Sequence, residues 1–211
     1  MGLGEALPSE RELMARLGVG RPAIREAMQS LETIGLIEIR HGGRARVVEP
    51  SVGRMVEQVG ETMAHLLANS PASLENLKEA RATIEREMAR IAARRRSDAD
   101  IVRLSELLAE QEGAIDDPPR FRALDGRFHR EIAGISGNPI FTVMIDAVFR
   151  WLSDFHAELV AVPGLENLTL SEHREILDAI RRGDAESAGV AMGAHLMRAN
   201  ELYRRGNLAR K

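Results

Sequence analysis

Pro8-Ser9-Glu10-Arg11-Glu12-Leu13, followed by Gly18-Val19-Gly20-Arg21-Pro22-Ala23-Ile24-Arg25, decides the fold of the N-terminal part. Ser9 with Glu12 three residues on has the spacing of a capping box, so a helix is expected to start here. Leu13 and Leu17, one turn apart, give it an apolar face. Gly18-Val19-Gly20 breaks it. A second helix is predicted over Arg21–Thr33, with Pro22 in the first turn, where its missing N–H removes no helical bond. Ile24, Met28 and Leu31 lie on one stripe of that helix, and Gly35 ends it. Leu36–Arg40 reads as a strand, His41-Gly42-Gly43 as a tight turn, and Arg44–Val48 as a returning strand that alternates polar and apolar. Two short helices joined by a glycine turn, with a hairpin directly after them, make a winged helix-turn-helix.

Beyond Glu49-Pro50-Ser51 the pattern becomes long and helical. Spans of 51–69, 72–96, 98–114, 119–136, 138–161, 168–182 and 184–205 are predicted. Ser73, Ser97, Asp117, Asn138, Thr169 or Ser171, and Asp184 are the candidate caps. Pro71, Pro118-Pro119, Pro139 and Pro163-Gly164 punctuate the connections. This part has no strand candidate, so an all-helical bundle follows. The fold class is therefore mostly α: a winged helix-turn-helix over 1–50, a linker helix over 51–70, and a helical domain over 71–211.

Composition narrows the function. Aromatics are only 3% of the 211 residues, so the core is built from Leu, Ile, Val, Ala and Met, which favours helices. There is no Cys, which excludes disulfides, thiolate metal sites and a Cys nucleophile. No apolar run reaches the roughly 18 residues that span a bilayer. No signal-peptide pattern is present either, so a cytoplasmic protein with no membrane partner is expected. The net charge of −3 gives no global sign of a nucleic-acid partner. Any DNA-binding face must come from local clustering. Arg21 and Arg25 are four apart and share a face that the apolar stripe does not use. Arg11 on the preceding helix is placed to reach phosphate. Arg40, His41, Arg44 and Arg46 line the wing, where Gly42 and Gly43 let the backbone approach a groove. The alternative is a solvated arginine face, ion-paired to Glu26 and Glu32.

A second constellation lies in the helical part. Asp125 and His129 are four apart on one helix face. His173 and His195 fall in later helices. Three imidazoles and one carboxylate suit Zn, Ni, Mn or Fe with positions left open for a ligand. On spacing alone, ordinary surface or core histidines are the commoner reading. Arg81 and Glu85 have the spacing of a helical ion pair. His65 and His156 match no motif and read as surface or packing residues.

Leu7–Leu13 together with Gly18–Ala27 resembles the signature of the GntR family of transcription regulators. The resemblance implies that Arg11, Arg21 and Arg25 contact operator phosphates and bases, and that His41 and Gly42 reach the minor groove. Asp125–His129 with Ser136-Gly137-Asn138-Pro139, Glu172–Ile180 and His195-Leu196 resemble the all-helical FCD effector domain of the FadR subgroup. That implies a divalent metal, zinc first, on Asp125, His129, His173 and His195. It also implies a small carboxylate effector docked on the metal, with Arg81 near its pocket. Asn138 has two readings, a helix cap or an effector contact. Gly2–Met14, and Arg44–Val47 with Glu49-Pro50-Ser51, are similar to the family's sialic-acid regulator, so sialic acid or another sugar or hydroxy acid is the expected effector. Members usually carry a further helix before Leu-Pro-Ser-Glu. Only six residues precede that motif here, so either the start is misassigned or truncated or the winged domain lacks its first helix.

The combined expectation is a ligand-responsive homodimer, a repressor acting on a double-stranded DNA operator. The alternative is a metal-dependent hydrolase or lyase in the bundle. The chain lacks His-Glu-x-x-His, and no Ser has the setting of a nucleophile, so it is read as not an enzyme.

Overall fold

In the computed structural model of the chain, the described residues are 2–39, 43–156 and 165–208. Their elements run α1 (Glu10–Leu17), α2 (Arg21–Thr33), β1 (Ile37–Glu38), β2 (Arg46–Val47), α3 (Val52–Asn69), α4 (Pro71–Arg95), α5 (Asp98–Glu112), α6 (Pro118–Gly134), α7 (Pro139–His156), α8 (Glu166–Arg182) and α9 (Ala185–Leu208). The chain divides into two compact units, Met1–Thr62 and Met63–Lys211.

In the first unit the capping box forms as expected. The Ser9 backbone donates to Glu12 at 2.7 Å, and the Glu12 backbone donates to Ser9 Oγ at 3.3 Å. Gly18, at φ 67°, ends α1 in the left-handed conformation that only glycine adopts cheaply. β1 and β2 pair antiparallel, Ile37 with Val47 and Glu38 with Arg46. The paired strands are shorter than predicted. Arg40 and the turn residues His41 and Gly42 lie outside the described residues. The N-terminal segment covers the other edge of β2, which the sequence reading did not anticipate. Gly4 N donates to Val47 O at 2.8 Å, Val47 N to Glu5 O at 2.9 Å, and Leu7 N to Ala45 O at 2.7 Å.

Leu7, Ile37 and Ala45 form the core of this unit, with Met28, Leu31 and Val47 packed against it. Ile24 is buried. The expected apolar face of α1 is not buried, since Leu17 is 63% exposed. Leu7, just before the cap, supplies the apolar contact instead.

The second unit is a helical bundle centred on Leu104, Phe128, Ile132, Ile145, Ile176, Ile180 and Met192. Burying each such side chain contributes about 1.5–3 kcal/mol. Ser97, Asp117 and Asp184 accept backbone N–H bonds at the expected helix starts. Two caps differ from expectation. Ser70 rather than Ser73 caps α4, because Pro71 takes the first helical position and leaves Ser73 N to donate to Ser70 Oγ at 3.2 Å. α8 starts at Glu166 with no side-chain cap. Its first turn is held by Thr169 N donating to Leu165 O at 2.9 Å, so Thr169 and Ser171 sit inside the helix. The predicted end of α7, with Pro163-Gly164, lies outside the described residues.

α9 packs closely on α4. A Cβ on Gly189 would lie 2.8 Å from the Arg90 side chain, and one on Gly193 would lie 3.0 Å from Arg86. Among the described residues no helix is long and apolar enough to cross a membrane.

Candidate metal centre and nucleic-acid interface

Three of the bundle's helices each bring histidine to one point. α6 carries Asp125 and His129 one turn apart, α8 carries His173 midway along its length, and α9 carries His195. One ligating atom from each of the four residues lies within 4.8 Å of the others. His129, His173 and His195 are buried, and the Asp125 side chain is 19% exposed. Phe128 stacks on the His173 ring at 4.2 Å and fixes its plane.

Burying three imidazoles is costly unless their nitrogens find partners. Each Nδ1 does. Glu85 on α4 contacts His129 Nδ1, Gln111 Oε1 lies 2.9 Å from His173 Nδ1, and Glu172 Oε2 lies 2.8 Å from His195 Nδ1. An oxygen acceptor at Nδ1 places the ring proton there and leaves the lone pair on Nε2. His129 Nε2 and His173 Nε2 are buried without a hydrogen-bond partner. His173 Nε2 stands 3.4 Å from Asp125 Oδ1 without hydrogen-bond geometry, so a lone pair faces a carboxylate there. Each orphaned nitrogen costs about 1–3 kcal/mol. A cation between them and the Asp125 carboxylate would remove that cost, so these residues fit a divalent metal. The carboxylate–histidine pairs behind the ring nitrogens have the arrangement that orients metal ligands.

Behind the ligands stands a second charged layer. Arg81 Nε donates to Glu85 Oε1 at 2.6 Å in a buried pair, and the Arg81 guanidinium lies 4.2 Å over the Phe149 ring. Burial by itself would raise the Glu85 carboxyl, but its contacts with His129 and the Arg81 guanidinium outweigh it and hold the group below the ordinary carboxylate range. Glu172 takes Arg198 Nε at 2.6 Å. Burial raises its carboxyl too, but hydrogen bonds from His195 and Arg198 bring it below the ordinary carboxylate range. Burial, then repulsion from His195 and His129, pushes His173 well below the ordinary imidazole range. Burial also lowers His195, against the pull of Glu172. Neutral imidazole is the form that binds metals.

All four sequence-predicted ligands thus converge. Arg81 lies behind Glu85, and the two share the helical spacing read from the sequence. Asn138 is exposed, and its Oδ1 accepts from Ile140 N at 3.0 Å, the geometry of a cap on α7. His65 is exposed beside Asn69. The His156 side chain lies outside the described residues. The sequence reading missed the histidine-holding roles of Glu85, Gln111 and Glu172. Glu172 precedes His173 in the chain yet serves His195. Glu85 was legible only as a partner of Arg81, and Gln111 carried no signal.

In the first unit, Arg11, Arg21, Arg25, Arg44 and Arg46 are exposed. The structure joins two of them through Glu10, not through Glu26 or Glu32. Arg21 Nε lies 3.3 Å and Arg25 Nε 3.2 Å from the Glu10 carboxylate. α2 starts after Gly20 with no side-chain cap. Arg25 and Arg44 line one open groove of about 520 Å³ together with Glu10, Gln29 and Glu32. Arg46 Nη1 donates to Gly4 O at 2.8 Å, tying the hairpin to the N-terminal segment. His41 and Gly42 lie outside the described residues.

Comparison with known proteins agrees with both halves. Residues 1–47 match the model of the gntR family of bacterial regulatory proteins, and residues 76–198 match the FCD domain. The HTH-type transcriptional repressor NanR of Edwardsiella tarda is 38% identical over 203 residues, covering 92% of this chain and 75% of that protein. NanR of Cronobacter sakazakii is 37% identical over 198 residues, with 92% and 75% covered. Among solved structures, a GntR protein of Streptococcus agalactiae aligns with a TM-score of 0.59 at 26% identity, covering 95% of this chain and 91% of that one. McbR/YncC of E. coli aligns with a TM-score of 0.58 at 18% identity, over 96% and 89%, and shares the fold. A winged helix-turn-helix followed in the chain by a helical bundle gives the parts of a DNA-binding transcription regulator, and the chain belongs to the gntR family of bacterial regulatory proteins with an FCD domain as its bundle.

Proposed function

We propose that the chain is a homodimeric repressor whose affinity for operator DNA is set by a small carboxylate ligand bound at a divalent metal. The observation that carries this reading is the convergence of Asp125, His129, His173 and His195, with two Nε2 atoms left without a hydrogen-bond partner. The printed name of the NanR relatives supports the repressor part. Residues 1–50 are the DNA-binding domain, 51–70 the linker helix and 71–211 the effector domain.

At the operator, Arg21 and Arg25 open the recognition helix and contact bases and phosphates. Arg11 adds phosphate contacts, and Arg44 and Arg46 carry the wing. His41 and Gly42 take the minor-groove role that the family resemblance gives them. Two recognition helices of a dimer meet two half-sites. Both partners meet in the cytoplasm, where the DNA is.

Zinc fits the donor set best, with Ni, Mn or Fe as alternatives, and the bound metal supplies a positive centre with open positions for a carboxylate. Asp125 and the three imidazoles hold it. Glu85 and Glu172 keep His129 and His195 with the lone pair inward. Arg81 is the cation nearest in role to an effector carboxylate. A ligand that draws on Arg81 competes with Glu85, so acid binding and the setting of His129 are coupled through one ion pair. Asn138 is assigned to capping α7. Sialic acid is the first effector to test, followed by other sugar and hydroxy acids.

The test is operator binding by zinc-loaded full-length protein to a duplex selected from a random pool, with and without sialic acid and a panel of sugar and hydroxy acids. One acid should change the affinity several-fold, and chelation should abolish that response. Unchanged affinity across the panel, or a response that survives chelation, would overturn the reading.

A further inference from the structure

The three histidines are not held alike. Glu85 and Glu172 are ionised carboxylates, so they can only accept, and they fix the proton of His129 and His195 on Nδ1. His173 is held by Gln111, whose side chain is an amide, with an acceptor at one corner and a donor at the other. Gln111 is fully buried, as is His173. Its Oε1 faces His173 Nδ1 at 2.9 Å, and its Nε2 is buried without a hydrogen-bond partner. That arrangement suits a metal, because the His173 lone pair then lies on Nε2. It also leaves both N–H donors of the amide unsatisfied, at a cost of about 1–3 kcal/mol or more.

A half-turn of the amide exchanges these roles. Gln111 Nε2 then donates to a bare Nδ1, and the ring proton moves to Nε2, which faces Asp125 Oδ1 across 3.4 Å. One amide N–H is then satisfied and the ring nitrogen turns a proton instead of a lone pair toward the Asp125 carboxylate, while the other amide N–H and the amide oxygen are left short. A small shift of the partly exposed Asp125 side chain then closes the site on itself through an Asp125–His173 hydrogen bond. Neither Glu85 nor Glu172 permits the same exchange at its own histidine.

We infer that Gln111 is a positioning residue that makes His173 the switchable ligand of the cluster, closed onto Asp125 without metal and opened toward it with metal. The inference rests on reading the four residues as a metal site. Opening removes one proton from Nε2 and places one on Nδ1 by way of solvent, so no net proton is released at His173.

Nitrogen-15 NMR of the labelled full chain reads the tautomers directly. In metal-free protein His129 and His195 should be protonated on Nδ1 and His173 mainly on Nε2. Added zinc should convert His173 to the Nδ1 form. Zinc competition with a chromophoric chelator gives the second readout. Gln111→Glu should hold His173 in the open form and tighten zinc binding by about threefold or more, and Gln111→Leu should weaken it by about tenfold. Thermal melts of both variants separate a change in affinity from a loss of fold. If neither variant folds, the wild-type spectrum still decides. His173 protonated on Nδ1 in metal-free protein would overturn the inference, as would a Gln111→Glu variant that binds zinc no more tightly than wild type. A wild type that takes up no zinc would sink the metal reading itself, and the tautomer of His173 in that same protein would then judge the role of Gln111 separately.

Discussion

Arg25 Nε lies 3.2 Å from the Glu10 carboxylate, joining the recognition helix to the start of the helix before it. Arg21 reaches the same carboxylate at 3.3 Å. Both arginines are about two-thirds exposed, so each pair contributes little, about 0–1 kcal/mol, and DNA phosphate can replace it. Arg25→Ala should therefore leave stability within about 0.5 kcal/mol of wild type. It should also lower operator affinity by about tenfold. A gel shift unchanged by the substitution would contradict the assignment of the DNA face.

Arginines that meet phosphate release counterions. Operator affinity should therefore fall steeply with salt, with a log–log slope near −0.9 per phosphate neutralised. Fluorescence anisotropy between low and moderate salt checks this, and each single substitution of Arg11 or Arg44 should reduce the slope by about one. A flat response would mean that these arginines do not reach the backbone.

Glu85 sits between Arg81 and His129 and is buried with both. Removing its carboxylate leaves Arg81 buried without this counter-charge and His129 without its holder. Glu85→Ala should destabilise the bundle by about 3–5 kcal/mol, measured by urea unfolding of metal-free protein. Glu106→Ala, on an exposed position of α5, should change stability by no more than about 0.5 kcal/mol. Equal stability of the two variants would show that the buried pair contributes nothing.

The buried imidazoles make metal-free protein sensitive to acid. Folding lowers the proton affinity of His173 and His195, so below an ordinary imidazole pKa of about 6.5 the unfolded chain binds more protons than the native one. Stability should be full above that pH and fall as the pH drops from about 6.5 toward 5. Zinc should oppose the loss by holding the rings neutral. Melting temperatures of chelated and zinc-loaded protein across this range provide the check. A chelated protein equally stable at both ends would exclude the effect.

The parts legible in the sequence were those written in neighbouring residues. Ser9 with Glu12, Gly18, and Pro22 at the start of α2 are local backbone signals, and the structure reproduces the helices they bound. Asp125 and His129 were paired by helical spacing, whereas joining them to His173 and His195 needed family resemblance. The holders of the histidines were hidden because they act across the bundle. Glu85 meets His129 over 44 positions, and Gln111 meets His173 over 62. Helical periodicity shows that a face is buried but not which residue of another helix it meets. The pairing of Gly4–Leu7 with β2 was hidden for a different reason. It is made by backbone groups, and side-chain patterning carries no trace of it.

The most direct measurement is the zinc content of wild type and His173→Ala after dialysis against zinc and then against metal-free buffer, with circular dichroism confirming that both are folded. Wild type should retain about one equivalent per chain and His173→Ala essentially none, as expected for a site that needs all its protein ligands. Equal zinc in the two, or none in wild type, would contradict the assignment of Asp125, His129, His173 and His195 as the metal centre of this regulator.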